Sequence, residues 1–319
     1  MIIVTGGAGF IGSCMVKALN EQGNNDILIV DRLGEGTTYR NLIGLKYLDY
    51  IDKEDFIDQV NEGMTGDDVE AVIHMGACSA TTEYDADYLM ENNYRYSQYL
   101  AHWCDKYAIR FIYASSAATY GAGNEGYSDE CDHYGLNPLN PYGYSKLAFD
   151  QWMDRQGLLE EMVGLKFFNV YGPREDHKDD MRSVVNKAYD QILESGEVKL
   201  FQSHRPDYQD GEQLRDFVYV KDVCLVMLWL LENKKVGGIF NIGTGQARSF
   251  KDLVSSTFVA MGRSPNIQFI EMPEHLRGKY QYYTQAEMDK LKAVGYQKPF
   301  TSLEEGIKDY VQTYLMKRD

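Results

Sequence analysis

Several things are scarce in this chain of 319 residues. Cysteine occurs five times, at Cys14, Cys78, Cys104, Cys131 and Cys224, an odd number with no C-x-x-C pair. That argues against a disulfide framework and fits reduced thiols in a cytoplasm. The six histidines are scattered, so no metal site is expected. No window holds a run of apolar residues long enough for a membrane-spanning helix. The opening MIIVTGG lacks the basic stretch that precedes the apolar core of a secretion signal. Basic residues are in the minority: 32 Lys and Arg against 48 Asp and Glu give a formal net charge of −16. A surface that negative repels polyanions, so nucleic acid is not an expected partner. A small phosphate-bearing ligand stays open, because backbone donors and a few Arg or Lys can hold it locally.

What is present is an alternation of short apolar runs with helical patterns. Ile2–Thr5, Ile27–Asp31, 69–74, 110–115 and 163–169 read as strands, with helical stretches at 13–22 and 93–106 between them. This predicts an α/β fold, a Rossmann-type doubly wound parallel sheet with helices on both faces. Residues 217–220 and Gly238–Ile242 read as late additions to the same sheet. The segments 171–215 and 244–319 carry more turns and charge. They predict a smaller α/β substrate-binding domain assembled from two stretches, beside a dinucleotide-binding domain made of 1–170 with 216–243.

The first strand runs into Gly6-Gly7-Ala8-Gly9-Phe10-Ile11-Gly12 and then a helix. Gly6, Gly9 and Gly12 let the chain turn tightly and bring backbone N–H groups up to a pyrophosphate, which then faces a helix N-terminus. Asp31 ends the second strand, where a carboxylate accepts hydrogen bonds from the adenosine ribose. Arg32 follows it directly, and a guanidinium there, with Lys53 in reach, favours NADP over NAD by binding a 2′-phosphate. NAD stays open, since Arg32 and Lys53 also read as solvated surface charges.

Tyr142 and Lys146 are four residues apart at the start of an amphipathic helical pattern, so they share one face. A free tyrosine titrates near pKa ~10, and acting as a base near neutrality needs a shift of ~3 units, or ~4 kcal/mol. One cation at ~4 Å in an effective dielectric of ~20 supplies about that much. Upstream, the strand at 110–115 leads into Ser115-Ser116-Ala117-Ala118-Thr119-Tyr120-Gly121. A serine hydroxyl at the carboxyl end of a parallel strand lies where ligands bind in such sheets, and can hydrogen-bond a substrate oxygen as charge develops on it.

The glycine loop, the serine and the Tyr-x-x-x-Lys pair together resemble the extended short-chain dehydrogenase/reductases acting on nucleotide sugars. Phe168-Asn169-Val170-Tyr171-Gly172-Pro173 and Arg215-Asp216-Phe217-Val218-Tyr219 extend the resemblance, as does Asn241-Ile242-Gly243-Thr244-Gly245. It implies a catalytic set of Ser116, Tyr142 and Lys146. It further implies cofactor contacts from Gly6, Gly9, Phe10, Ile11, Gly12, Met75, Gly76, Ala77, Ser79, Asn92, Lys146 and Val170. Arg215 is implied on the substrate's diphosphate. Dehydratases of this family carry Asp-Glu after the catalytic hydroxyl residue. Here Ala117 and Ala118 stand there, and neither moves a proton.

More specific stretches are similar to the branch of the family that inverts C6 of ADP-linked heptoses. They are Gly76-Ala77-Cys78-Ser79, Tyr171-Gly172-Pro173-Arg174-Glu175 with His177-Lys178, and Gly278-Lys279-Tyr280-Gln281. That likeness implies oxidation of ADP-D-glycero-D-manno-heptose to a ketone and re-reduction from the opposite face, on bound NADP. Proton transfer must then serve two substrate orientations, which gives Lys178 a role as second acid/base. Without the likeness, 177–180 reads as a solvated charged loop. Asn169, Asp180, Lys187, Phe201 and Tyr280 are implied substrate contacts, although Asp180 and Lys187 stand where the branch has serine and histidine. The stretch 203–213 is longer than in that branch. A homo-oligomer, with a pentamer as one form, and a part in supplying heptose for lipopolysaccharide core are implied as well. A UDP- or GDP-hexose 4-epimerase and a catalytically silent dinucleotide sensor are the competing readings.

Overall fold

The structure is a computed structural model that describes residues 1–277 and 280–318. Gly278 and Lys279, part of the C6-epimerase likeness, lie outside the described residues. The strands run β1 Ile2–Thr5, β2 Ile27–Asp31, β3 Asp49–Asp52, β4 Ala71–His74, β5 Arg110–Ser116, β6 Val163–Phe167, β7 Asn169–Tyr171, β8 Val198–Phe201, β9 Leu214–Tyr219, β10 Gly238–Ile242, β11 Ala247–Ser249 and β12 Ile267–Ile270.

Seven of them form one parallel sheet in the order β3-β2-β1-β4-β5-β6-β10. Apolar residues on both sides of each central strand make this possible. In β1, Ile2 and Val4 join one core while Ile3 joins the other. In β4 and β5 the alternation repeats, with Ile73 and Ile112 on one face and Val72, Phe111 and Tyr113 on the other. Side chains alternate across a sheet, so continuous apolar runs require helices on both faces. Helices Phe10–Glu21 and Val220–Glu232 pack together on the first face, and Lys53–Asn61 with Tyr96–Lys106 on the second. The chain starts at β1, builds outward through β2 and β3, then crosses back to β4. The reversal opens a crevice between the carboxyl ends of β1 and β4.

Several expectations change in detail. The helix read at 13–22 starts earlier, at Phe10, and the one at 93–106 is preceded by a π turn over Met90–Arg95. The strand read at 163–169 breaks at Phe168, whose N–H donates to the Ile242 carbonyl at 3.1 Å. β7 then leaves the main sheet. Residues 217–220 are not an addition to that sheet. They end β9, which pairs with β7 and β11 in a separate three-stranded sheet. β8 and β12 form a two-stranded parallel pair. The division expected between 170 and 171 falls inside β7, and that between 215 and 216 inside β9.

Candidate active site

The glycine loop is closed to any side chain. Gly6 has φ +65°, and a Cβ there would lie 2.6 Å from the Gly76 nitrogen. A Cβ on Gly12 would come within 2.0 Å of the Gly6 carbonyl oxygen. Only glycine lets the β1–helix turn lie this close to the chain leaving β4. Asp31 stands beside the loop. Its carboxylate accepts from Ala8 N at 2.8 Å and from Arg32 N at 2.7 Å. Burial pushes its pKa up, and those backbone donors work against the rise. The loop is also fastened to β4. The Thr5 hydroxyl is 2.6 Å from His74 Nδ1 and accepts from Gly76 N at 3.2 Å. Burial, with Lys146 nearby, pulls His74 down to about 3, so it is neutral and structural. Asn93 fixes the next stretch, exchanging two bonds with the Cys78 backbone at 2.8 and 3.0 Å.

A cavity of about 1050 Å³ runs from this loop across the carboxyl edge of the sheet to Arg215 and Tyr280. Gly6, Gly9, Phe10, Ile11, Gly12, Asp31, Met75, Gly76, Ala77, Ser79, Lys146 and Val170 line it. Arg32, Lys53 and Asn92 line an adjoining recess of about 200 Å³ that shares Asp31 and Gly76 with the cavity. There Lys53 Nζ donates to Asn92 Oδ1 at 2.6 Å. The cavity wall also brings together Ser116, Tyr142, Lys178, Asn169, Lys187, Arg215 and Tyr280.

Two expected substrate contacts are placed elsewhere. Asp180 is exposed and does not line the cavity; its carbonyl accepts from Lys187 Nζ at 3.0 Å. Phe201 does not line the cavity but stands edge-on to Tyr280, with ring centroids 6.3 Å apart. Sequence reasoning passed over Thr38, Cys78, Phe217 and Phe250, which also line the cavity. Cys78 and Phe217 lie within the motif stretches but were given no role there, and no local motif marks Thr38, in a 3-10 turn, or Phe250, at a helix start.

Tyr142 and Lys146 sit on helix Pro141–Arg155, and Ser116 at the end of β5. Asn140 caps the helix, accepting from Gly143 N at 2.8 Å, and Pro141 occupies its first turn. This start sets Tyr142, Lys146 and Asp150 one turn apart on the buried face. Burial raises the Tyr142 pKa, while a hydrogen bond with the Ser116 hydroxyl lowers it. Lys146 donates to the Ala114 carbonyl at 2.9 Å. Burial brings its pKa down to about 8, with Asp150 acting the other way. Asp150 accepts from Tyr113 and Ser115 at 3.0 and 2.7 Å and pairs with Lys166 at 3.5 Å, both partners fully buried.

Elsewhere in the cavity lining, Lys178 places its ammonium 5.6 Å from the centre of the Phe10 ring. Burial lowers its pKa, and Glu175 opposes that. Farther along, the buried Arg215 guanidinium lies 5.3 Å from the Tyr280 ring and 5.6 Å from that of Phe250. Its neighbour Asp216 takes four hydrogen bonds, from Thr244 N and Oγ1, Gly245 N and Ala286 N, and so anchors this end of the cavity.

The chain belongs to the NAD dependent epimerase/dehydratase family, whose model matches residues 2–243. The glycine cradle and the carboxylate at the end of β2 fit a dinucleotide in the way that family requires. Over its whole length the chain is 56% identical to the ADP-L-glycero-D-manno-heptose-6-epimerase of Nitratidesulfovibrio vulgaris, covering 100% of this chain and 99% of that one. Among solved structures it resembles the ADP-L-glycero-D-manno-heptose-6-epimerase of Helicobacter pylori, with a TM-score of 0.80 at 30% identity over 98% of this chain and 95% of the other. It also resembles the UDP-glucose 4-epimerase of Thermus thermophilus in complex with NAD, with a TM-score of 0.78 at 27% identity over 99% of both chains.

Proposed function

We propose that this chain inverts C6 of ADP-D-glycero-D-manno-heptose to give the L-glycero epimer, through a C6 ketone. The observation that carries the reading is one cavity walled by both Tyr142 and Lys178. The full-length relatives named for this substrate support it. A nicotinamide dinucleotide held in the glycine cradle supplies the acceptor and donor of the C6 hydride. In one substrate orientation Tyr142 takes the C6 hydroxyl proton, with Ser116 donating to that oxygen. In the other, Lys178 gives a proton to the C6 ketone oxygen as the hydride returns to the opposite face of C6, and in the reverse direction the two residues exchange roles. Lys146 supports the charge that develops on the Tyr142 oxygen. Arg215 and Tyr280 hold the diphosphate end, and Asn169 and Lys187 meet the sugar. Ala117 and Ala118 offer no proton-transfer group after Ser116, so water is not eliminated.

The preferred cofactor in this reading is NADP. Arg32 and Lys53 line the recess beside Asp31, and two cations there suit a 2′-phosphate. Arg32→Ala should weaken NADP binding on the order of tenfold to a hundredfold and NAD binding little, because only NADP carries that phosphate. Equal losses measured by titration would remove Arg32 as the discriminator. The substrate is tested by incubating the protein with ADP-D-glycero-D-manno-heptose and, separately, UDP-glucose, and following each by NMR. A C6 epimer from the first alone supports the reading. A C4 epimer from the second alone replaces it with a hexose 4-epimerase.

A further inference from the structure

We propose that Asn41 is a positioning residue that couples the glycine loop to the turn carrying Lys178. This rests on the two-base reading above and adds a residue to it. Asn41 is 8% exposed and sits in a short 3-10 turn, Thr38–Leu42. Its side-chain amide donates to the Ala8 carbonyl at 2.9 Å and to the Arg174 carbonyl at 3.0 Å, and lies 3.1 Å from His177 Nδ1. Arg174 returns a bond to the Asn41 carbonyl. One amide thus holds both the loop two residues before Phe10 and the turn four residues before Lys178. Phe10 is the ring over which the Lys178 ammonium rests.

The turn needs such a clamp. Arg174 and Asp179, on either side of Lys178, have φ of +75° and +46°. Side-chain-bearing residues hold that region only where the surroundings fix them. Glu175 secures the turn from the other side, accepting from Ser183 N at 2.5 Å, Ser183 Oγ at 2.6 Å and Tyr310 OH at 3.0 Å. Asn41 alone among these side chains also bonds the glycine loop, so it sets where Lys178 stands relative to the dinucleotide site. A misplacement of about 1 Å at a reacting group costs on the order of a hundredfold in rate.

The test compares Asn41→Leu and Asn41→Ala with Lys178→Met in single-turnover hydride transfer, using each heptose epimer separately. Leu keeps the volume without donors, and Ala keeps neither, so one folded variant suffices. Both should slow, on the order of tenfold to a hundredfold, the half-reaction that Lys178→Met slows, and leave the other near the wild-type rate. In the Lys178→Met background, Asn41→Leu should add nothing. Equal slowing of both half-reactions, or an additive double variant, would overturn the proposal by making Asn41 a general support of the cofactor loop. If Lys178→Met itself slows neither half-reaction, the two-base reading fails and the role of Asn41 falls with it.

Discussion

Tyr142 and Lys146 share one buried helix face, and their environments push them in opposite directions. Burial drives Tyr142 toward its neutral phenol and Lys146 toward its neutral amine. The group that works against the rise at Tyr142 is the Ser116 hydroxyl, through its hydrogen bond to the phenol. Tyr142→Phe should cut epimerisation by ~100- to ~10,000-fold while cofactor binding persists, since general acid–base groups contribute about that much. A rate within tenfold of wild type, measured by NMR, would remove Tyr142 from the mechanism. Lys146 makes a second expectation about stability. Its pKa falls to about 8 from 10.5, so between those values the folded state has released a proton that the unfolded chain still holds. Stability conferred by this group rises with pH across that window, and below it the folded state carries the full cost of the buried charge, roughly 3 kcal/mol. Denaturant unfolding of the cofactor-free protein should show wild type gaining about that much over Lys146→Met between pH 8 and 10.5. A difference that stays flat with pH would contradict the burial argument.

The element on which the proposed cofactor site turns is the loop from β1 into helix Phe10–Glu21. A Cβ on Gly12 would stand 2.0 Å from the Gly6 carbonyl, a backbone atom that cannot swing away. Gly12→Ala should force the loop open, cost ~1–3 kcal/mol of stability, and yield protein that purifies without dinucleotide. Full cofactor content in that variant would show the loop to be more pliant than its packing indicates. This element was plain in the sequence, because glycine spacing between an apolar run and a helix has few other uses. Other elements were less legible. β3, Asp49–Asp52, is an edge strand with a polar, partly exposed sequence, so no apolar period announces it. β9 carries the apolar residues of a buried strand, yet nothing local says which sheet it joins. Its placement is set by pairing with β7 and β11, contacts made far along the chain.

At the scale of the whole molecule, one sheet edge gathers residues that are more than two hundred positions apart. Gly6 and Tyr280 line one cavity because the strand order reverses between β1 and β4 and the small sheets close over the opening. The groups on the sheet edge were legible from motif spacing. Lys178 and Lys187 were legible only through likeness to the C6 epimerases, and the same likeness pointed to Asp180 and Phe201, which do not line the cavity. Asn41 and Phe250 carry no signal of their own, because their part is defined by partners elsewhere in the fold. The central claim is that C6 is oxidised and re-reduced within one site, the hydride never reaching water. It is tested by converting ADP-D-glycero-D-manno-heptose carrying deuterium at C6 in ordinary water, and the unlabelled sugar in heavy water, then reading C6 of the product by NMR. The account predicts full retention of deuterium in the first product and none at C6 in the second. Loss of the label, or deuterium gained at C6 from heavy water, would contradict it and point to inversion by proton removal from carbon.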